Sequence, residues 1–297
     1  MILMEFRVLQ YFLAIAREET ISQAAESLHI TQPTLSRQMK GLEEQLGKQL
    51  FIRGNRKINL TEEGILLRQR AEEIISLVEK TESEIMHSDT TISGDIYIGS
   101  GETEGMRILA KVIDTCHKEY PKIKFHLYSG NSQDVVEKIE NGLIDFGVLI
   151  EPADISKYDF IKLPVKDKWG VLMRKDSPIA SLKSITADTL KKLPLICSSQ
   201  EIVKNEISGW LNDDYNKLNI VATYNLIYNA SLLVEEGSGY ALGLDKLINT
   251  SGNSKLCFIP LEPKLEVGLT LIWKKYHLFS KATSYFLNQL RKEINKS

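Results

Sequence analysis

Residues 27–47, SLHITQPTLSRQMKGLEEQLG, place apolar residues on one side of a helix and hydrogen-bond donors on the other. The apolar residues recur at helical spacing and predict one buried face: Leu35, Met39, Leu42 and Leu46. The opposite face carries no carboxylate before Glu43. Because carboxylates repel phosphates, the carboxylate-free start of this helix suits contact with a nucleic acid. The alternative is the solvated polar face of another kind of helical domain.

A second, shorter helix is predicted just before this one. Thr20 and Gln23 have the spacing of a capping box, in which each side chain bonds the other's backbone N–H. The residues HIT form a turn, Thr31 is placed to cap the third helix, and Pro33 falls in its first turn, where the missing N–H costs little. Two helices joined by a short turn form a helix-turn-helix.

The start of the third helix carries side chains that can bind in a DNA major groove. Arg37 can donate two hydrogen bonds to guanine, and Gln32 can bond adenine. Small apolar groups on the same turn suit a thymine methyl group, and hydroxyl or ammonium groups suit phosphates. The residues of this helix that we predict to contact DNA are Gln32, Pro33, Thr34, Ser36, Arg37 and Lys40.

The next stretch, LFIRGNRKINLTEEG at residues 50–64, predicts a small β wing. Gly54 and Asn55 are turn-forming residues, and basic side chains surround them. Apolar residues flank this turn on both sides and give each strand an inward face. A basic tip suits the phosphates and the narrow minor groove, so we add Arg53 and Arg56 to the predicted DNA contacts.

Residues 6–64 resemble the winged helix-turn-helix of LysR-type transcriptional regulators. The matching features are the run AAESLHITQPTLSRQMKGLEEQLGKQLFIR, the arginine pair Arg53 and Arg56, and LTEEG at the end of the wing. The resemblance implies that Gln32, Pro33, Ser36 and Arg37 face bases and that Arg56 reaches the minor groove. We place this DNA-binding domain at residues 1–61.

A long helix is predicted to follow, at residues 62–90. Thr61 can cap it, and Glu62 and Glu63 are favourable at the positive end of its dipole. An apolar stripe has the alternating spacing of a heptad: Leu67, Ala71, Ile74, Val78, Thr81 and Ile85. The stripe favours pairing with a second chain, as in the linker helix of the family that the chain resembles, over packing within its own domain. Residues 88–94, SDTTISG, read as a polar linker.

The remaining residues, 91–297, alternate between strand and helix patterns, which predicts an α/β domain with a parallel sheet. The arrangement is similar to the two-subdomain, periplasmic-binding-protein-like (type 2) effector domain of the same regulators. We predict chain crossovers near residues 164–166 and 264–268. Subdomain I then comprises about 91–165 and 267–297, and subdomain II about 166–266.

Ligands in such sheets bind beyond the carboxyl ends of the strands, against helix N-termini. The residues that we predict to bind an effector there are Ser100, Gly101, Glu102, Thr103, Gly130, Asn131, Glu151, Ser198, Ser199 and Asn229. Glu102, Glu104 and Glu151 place three carboxylates near one rim. Either these carboxylates point outward as helix-start residues, where acids are favourable, or they select a ligand that carries an amine or several hydroxyls. We favour a ligand with both charges or none over a simple dianion.

The sequence contains no pattern that predicts catalytic chemistry, a cofactor or a metal. GSGETEG at residues 99–105 follows a strand but lacks the dinucleotide-binding spacing. The five histidines neither cluster nor pair with the cysteines at metal-ligand spacing. We therefore predict no catalytic residue, no metal ligand and no cofactor.

The composition predicts a cytoplasmic protein. The first residues of the chain include an acid, Glu5, and show no signal-peptide pattern. No uncharged run in the sequence approaches the ~20 residues of a membrane span. The three cysteines are odd in number and far apart, which suits reduced thiols. A net charge of -2 requires that any nucleic-acid surface be a local patch.

These features together predict a sequence-specific transcriptional regulator. We expect it to bind double-stranded operator DNA as a homodimer or as a dimer of dimers (a homotetramer), and to assemble through the linker helix and the effector domains. A small-molecule effector would switch it, and no membrane would be involved. The alternatives are a cytoplasmic small-molecule-binding enzyme with an α/β domain and a solute-binding transport protein, the second of which requires export.

Overall fold

Two units make up the chain, Met1–Met86 and His87–Ser297. The computed structural model describes residues 4–54, 57–86 and 92–296 of the 297. The polar linker predicted at residues 88–94 therefore lies largely outside the described residues.

The first unit is a helical module with a small β wing. Its elements are α1 (Phe6–Glu18), α2 (Ile21–Ser27), α3 (Gln32–Leu46), β1 (Phe51–Arg53), β2 (Ile58–Leu60) and α4 (Glu62–Met86). The apolar stripe of α3 is buried at Leu35, Met39 and Leu42, where it packs in one core with Phe12 and Ile15 of α1. β1 and β2 pair antiparallel, as the wing prediction requires. The unit has the predicted helix-turn-helix plus wing.

Two of the predicted helix caps differ from the sequence expectation in detail. The Thr20 hydroxyl accepts a hydrogen bond from the Gln23 N–H and donates one to Gln23 Oε1, so the glutamine bonds the hydroxyl rather than the backbone of Thr20. Thr31 lies at the N-cap of α3 but makes no side-chain bond to a helix N–H. Its hydroxyl lies 2.8 Å from the Thr34 hydroxyl instead, because two neighbouring hydroxyls can bond each other.

Part of the apolar stripe predicted for pairing with a second chain is buried in its own unit, and the rest is exposed. Ala71 is buried and Leu67 packs against the core of its own unit, because the first turns of α4 lie along α1. Ile74 and Ile85 remain exposed, as a pairing stripe requires. At 100° per residue, the exposed uncharged residues Leu66, Ile74, Leu77, Thr81 and Ile85 lie within about 100° of one another on α4, and the exposed Arg70 lies on the same side.

The second unit is an α/β domain. Its first half contains β3 (Gly94–Ser100), α5 (Met106–Glu119), β4 (Ile123–Ser129), α6 (Ser132–Glu140), β5 (Phe146–Ile150) and β6 (Tyr158–Arg174). Its second half contains α7 (Ala187–Leu190), β7 (Leu195–Ser198), α8 (Glu201–Leu211), a 3-10 helix (Tyr215–Lys217), β8 (Ile220–Tyr224), α9 (Ile227–Glu235), β9 (Tyr240–Leu244), β10 (Leu256–Pro260), β11 (Glu266–Lys274) and α10 (Lys281–Ile294).

The described strands of the second unit form one sheet in the order β4-β3-β5-β11-β6-β9-β7-β8, and β10 pairs with β6. β3, β4 and β5 are parallel, and so are β7, β8 and β9. β6 and β11 pair antiparallel along both halves. The mixed α/β architecture agrees with the predicted fold class.

The two halves of the sheet meet at an irregularity in the β6–β11 pair. Gly268 pairs with Lys166, whereas the next residue, Leu269, pairs with Leu163, so that Pro164 and the residue after it are bypassed. A proline has no N–H to donate to a ladder and is tolerated at such a bulge. The irregularity lies within the ranges where the sequence suggests the two crossovers.

Each half of the sheet is covered by helices on both faces. In the first half, one core contains residues of α5 and α10, and another contains residues of α6. In the second half, α7 and α8 contribute to one core and α9 to the other. None of the described helices is long and apolar enough to cross a membrane.

The Thr61 cap gives a stability prediction with a matched control. The Thr61 hydroxyl accepts a hydrogen bond of 3.0 Å from the Gly64 N–H and donates one of 2.7 Å to the carbonyl of Gln49. Thr61→Ala should lower the free energy of unfolding of the first unit by about 1 kcal/mol, the usual loss of a threonine cap. Urea unfolding followed by circular dichroism measures this loss.

Thr31→Ala is the control, since Thr31 occupies the N-cap of α3 but bonds only the exposed Thr34 hydroxyl. It should change the free energy of unfolding by no more than about 0.5 kcal/mol, as an exposed substitution does. Equal losses in the two variants would contradict the capping role of Thr61.

Candidate functional site

The start of α3 projects the predicted DNA-contacting side chains outward. Gln32, Pro33, Thr34, Arg37 and Lys40 are exposed, and Ser36 is half-buried. Because the opposite stripe of α3 is buried in the core, the helix cannot rotate without exposing that stripe to water. The core therefore fixes which side chains the helix presents.

Contacts near the C-terminal end of α3 hold it in place. Near its C-terminal end, Glu43 Oε1 accepts hydrogen bonds from the backbone N–H groups of Leu50, at 2.7 Å, and Phe51, at 3.3 Å. Glu43 is the first carboxylate of the helix, and it ties α3 to the start of the wing. Gly47 ends the helix in the left-handed region, with φ of 65°.

The wing is described only in part. Arg53 closes β1, and the Lys57 ammonium contacts the Glu19 carboxylate at the end of α1. Arg56, the predicted minor-groove residue, lies outside the described residues, and so does Asn55. The minor-groove role of Arg56 remains a prediction from the sequence.

A cavity in the second unit lies where the strands of both halves end. It encloses about 670 Å³ of space, part of it open to solvent. Residues after the carboxyl ends of β3, β4, β5, β7 and β8 line it, which is the position expected of a ligand site in an α/β sheet. The predicted effector residues that line it are Gly101, Glu102, Gly130, Asn131, Glu151 and Ser198.

Four predicted effector residues are not part of the cavity wall. Ser100 is buried and donates a hydrogen bond to the Gly101 carbonyl. Thr103 is also buried, and its hydroxyl bonds the Asp167 carboxyl. Ser199 and Asn229 are exposed beside the cavity rather than in its lining.

The cavity also contains residues that the sequence did not single out. The polar ones are Trp169, Gln200, Glu206, Tyr224 and Asn225. A search for ligand residues in the loops after strands does not find Trp169, which lies within β6, or Glu206, which lies within α8. A carboxylate among the apolar residues of a helix is the signal that could have identified Glu206.

Glu102 bridges the two halves of the domain. Its Oε2 accepts a hydrogen bond of 2.6 Å from the backbone N–H of Ile227, the first residue of α9. The start of α9 has no other side-chain cap, so Glu102 fills the position where a helix N-terminus attracts an anion. A carboxylate of the chain itself therefore occupies one anion-binding position of the cavity.

Glu151 and the start of α6 are likewise satisfied within the chain. Glu151 Oε1 accepts a bond of 2.8 Å from the Thr270 hydroxyl and lies 3.7 Å from the Lys162 ammonium. At the start of α6, Asn131 and Asp134 form a complete capping box. The capping box of α6 thus already bonds the N–H groups of Asn131 and Asp134.

The surroundings of Glu206 change the titration of its carboxyl group. Burial raises its pKa to about 7, and the indole N–H of Trp169 opposes the shift in part. Trp169 Nε1 is buried and makes no hydrogen bond of normal geometry in the described part of the chain, although it faces Glu206 closely enough to influence its pKa. Burial penalises the charged form of a carboxyl group, so Glu206 is partly protonated near neutral pH.

Within the described residues no group of His, Cys, Asp and Glu side chains could hold a metal ion. Burial raises the pKa of the Cys197 thiol to about 11, so that thiol is protonated at neutral pH and is a poor nucleophile.

Two family comparisons cover nearly the whole chain. Residues 6–65 match the family described as "Bacterial regulatory helix-turn-helix protein, lysR family". Residues 90–295 match the family described as "LysR substrate binding domain". The first match contains the α3 surface and the second contains the cavity.

Individual proteins are similar over the same length. The chain is 28% identical to a probable RuBisCO transcriptional regulator of Phaeodactylum tricornutum, over 99% of this chain and 97% of that protein. It is 28% identical to the Hca operon transcriptional activator HcaR of Escherichia coli, over 92% of each. A solved structure of full-length CbnR, in complex with its target DNA, has a TM-score of 0.75 at 18% identity and covers 98% of this chain and 100% of that one. The last likeness concerns the fold.

The raised pKa of Glu206 predicts how stability depends on pH. Because the folded-state pKa of about 7 exceeds the usual 4.5, the folded protein binds more protons between these values. The stabilisation by neutral Glu206 is complete below pH 4.5 and is lost as the pH rises through 7. Glu206→Gln keeps this side chain neutral. The wild type should therefore lose stability relative to the variant between pH 5 and pH 8, as thermal unfolding can measure.

Glu201→Gln serves as the control, because Glu201 lies exposed on the same helix and pairs with Lys204. Its melting temperature should follow that of the wild type across this pH range. Parallel curves for the wild type and Glu206→Gln would show that Glu206 does not titrate in this range.

Proposed function

Because this chain belongs to the LysR family of DNA-binding transcriptional regulators, we propose that α3 and the wing recognise an operator sequence and that a small molecule in the cavity modulates this binding. The family consists of regulators, so it gives no support to the enzyme alternative. The observation that carries the proposal is the exposed, carboxylate-free start of α3.

The proposed DNA contacts divide by chemistry. Arg37 can donate two hydrogen bonds to a guanine edge, Gln32 can donate one to and accept one from an adenine edge, and Pro33 and Thr34 suit thymine methyl groups. Ser36 and Lys40 add contacts to bases or phosphates. The wing supplies Arg53 and Arg56 to the adjacent backbone and minor groove. CbnR, whose fold is similar, has been solved in complex with its target DNA.

The proposed assembly is a dimer, or a dimer of dimers, in which the exposed stripe of α4 pairs two chains. Ile74 and Leu77 are 43% and 41% exposed, and Ile85 is 78% exposed. A row of large apolar side chains on one helix face is typical of a surface that another helix covers. Pairing would hold two copies of α3 at a fixed spacing, which a two-fold operator requires.

The effector would act on the arrangement of the two halves of the second unit. Residues from both halves line the cavity, and the β6–β11 irregularity lies between those halves. A ligand that binds one arrangement more tightly shifts the population towards it. Since operator DNA is located there, we place the protein in the cytoplasm.

Arg37→Ala tests the base contacts. The variant should lose about 1–3 kcal/mol of binding free energy on the footprinted site upstream of its own gene, as the loss of a two-bond contact to guanine does. Binding to random DNA of the same length should change little, because phosphate contacts are retained. Fluorescence anisotropy at fixed salt measures both affinities.

Arg17→Ala is the charge-matched control, since Arg17 is exposed on α1 and pairs with Glu18. It should leave the preference for the specific site unchanged. If Arg37→Ala weakens specific and random binding equally, Arg37 contacts phosphate only.

A double substitution tests the α4 stripe. Ile74→Asp with Leu77→Asp would place two charges in an apolar interface, at a cost of several kcal/mol for each unpaired ion. Analytical ultracentrifugation should then detect monomers, and operator affinity should fall.

Ile65→Asp with Gln69→Asp introduces the same charge on another side of the same helix, where both residues are exposed. This control should remain assembled. A stripe variant that stays dimeric would contradict pairing through α4.

A further inference from the structure

The charged residues that line the cavity are all acidic. Three carboxyl groups line it, those of Glu102, Glu151 and Glu206. Among the described residues, none of those in its lining is a lysine, an arginine or a histidine. An anionic ligand would therefore meet three carboxyl groups and no cationic side chain in the wall.

Two of the helix N-termini at the cavity are capped within the chain. Glu102 accepts the Ile227 N–H at the start of α9, and the capping box of α6 uses Asn131 and Asp134. The start of α8 has no side-chain cap, and the N–H of its N-cap residue, Gln200, donates to the Ser198 hydroxyl at 3.3 Å. A carboxylate ligand at the start of α6 or α9 would have to displace these internal partners to gain a comparable interaction.

Glu206 differs from the other two carboxyl groups. Glu102 bonds a backbone N–H, and Glu151 bonds Thr270 and lies near Lys162. In the part of the chain that the structure describes, no cationic side chain lies within ion-pair distance of Glu206. A ligand cation would supply that missing partner.

Trp169 gives a second, independent indication of a ligand at the same place. Its side chain lines the cavity, the residue is only 4% exposed, and its buried Nε1–H makes no hydrogen bond of normal geometry with the described residues. A buried donor without a partner is costly. A fully ionised Glu206 is a stronger acceptor than a partly protonated one, so a ligand cation on Glu206 would also improve the environment of the indole N–H.

The remaining wall is largely apolar. Both halves of the domain contribute aliphatic side chains: Ile150, Ile202, Val203, Ile227, Leu244 and Leu247. Such a wall binds a hydrocarbon body, and a few polar groups then fix its orientation.

The geometry points to a small monoamine with an apolar body as the ligand, its ammonium group on the Glu206 carboxylate and its hydrocarbon part against the aliphatic wall. This inference rests on the proposed function, because it names the class of effector for the same cavity. The bound ammonium requires ionised Glu206, so binding releases the proton that Glu206 carries at neutral pH and below.

The test uses matched probes that share a hydrocarbon body. They are 2-phenylethylamine, hexylamine and cyclohexylmethylamine, each with the alcohol and the carboxylate of the same body. Calorimetry on the full-length protein measures the dissociation constants. We expect the amines to bind at least tenfold more tightly than their alcohols and carboxylates. Carboxylates or alcohols that bind as tightly as the amines, or three amines that fail to bind, would overturn the assignment.

The pH dependence isolates Glu206. Because the pKa of Glu206 is about 7, the ionised fraction of its carboxyl group rises roughly tenfold between pH 6 and pH 8. The affinity for amines should rise with that fraction. Primary alkylamines, like lysine, stay protonated over this range. The other charged groups that face Glu206 are Glu102, Glu151, Lys162 and Glu266. Glu206→Gln retains these groups, so it should lose both the affinity and the pH dependence.

Two further variants complete the test. Trp169→Phe keeps an aromatic side chain but replaces the indole by a phenyl ring and so removes the N–H, and it should weaken amine binding several-fold. Glu201→Gln, exposed on the same helix, should bind amines as the wild type does. An unchanged affinity in Glu206→Gln, or an affinity that falls as the pH rises, would show that the ammonium lies elsewhere.

Operator binding separates this inference from the proposed function. Amines that bind the wild type and alter its operator footprint support both. Amines that bind without altering the footprint support the ligand class and contradict its role as effector. Carboxylates that alter the footprint overturn the ligand class while the proposed regulation stands.

Discussion

The antiparallel pair of β6 and β11 is the contact on which the second unit depends. Both strands run through the two halves of the sheet, so every other strand is attached to one half or the other through them. At Pro164 the ladder is interrupted, and Gly268 lies opposite the change of register. A Cβ on Gly268 would lie 2.4 Å from Glu151 Oε2, so glycine allows the carboxylate to approach the strand here. The crossover and the cavity wall are thus built from the same few residues.

Local patterns predicted the first unit well because its structure is determined by short-range rules. The α3 stripe, the turn before it and the basic wing are each readable within about 15 residues, and helical periodicity decides which side is buried. The resemblance to LysR-type regulators is confirmed by the family matches. The α4 stripe was only partly predictable, because sequence spacing cannot reveal that Leu67 and Ala71 pack against their own unit.

Short-range sequence rules predict only part of the cavity wall. The loops after parallel strands form part of that wall, and Gly101, Gly130 and Ser198 lie there. That these residues bind an effector stays a prediction. Trp169 and Glu206 were missed because each lies inside a regular element, where a pattern normally signals packing. Burial and an unbonded N–H distinguish them, and both properties arise from strands and helices far apart in sequence. The first half of β6 was also missed, since its charged run does not resemble a buried strand.

The Glu102 contact links ligand chemistry to the movement of the domain. Its carboxylate belongs to the first half and bonds the start of α9 in the second, so it favours an arrangement in which the two halves are close. An anionic ligand would compete with Glu102 for the start of α9 and would weaken that contact. A cation on Glu206 leaves it in place and adds attraction between ligand and both halves, because Glu102 and Glu151 also face the cavity. Such a ligand would bind an arrangement in which the two halves are close better than one in which they are apart, and a difference in affinity of this kind is what a switch requires.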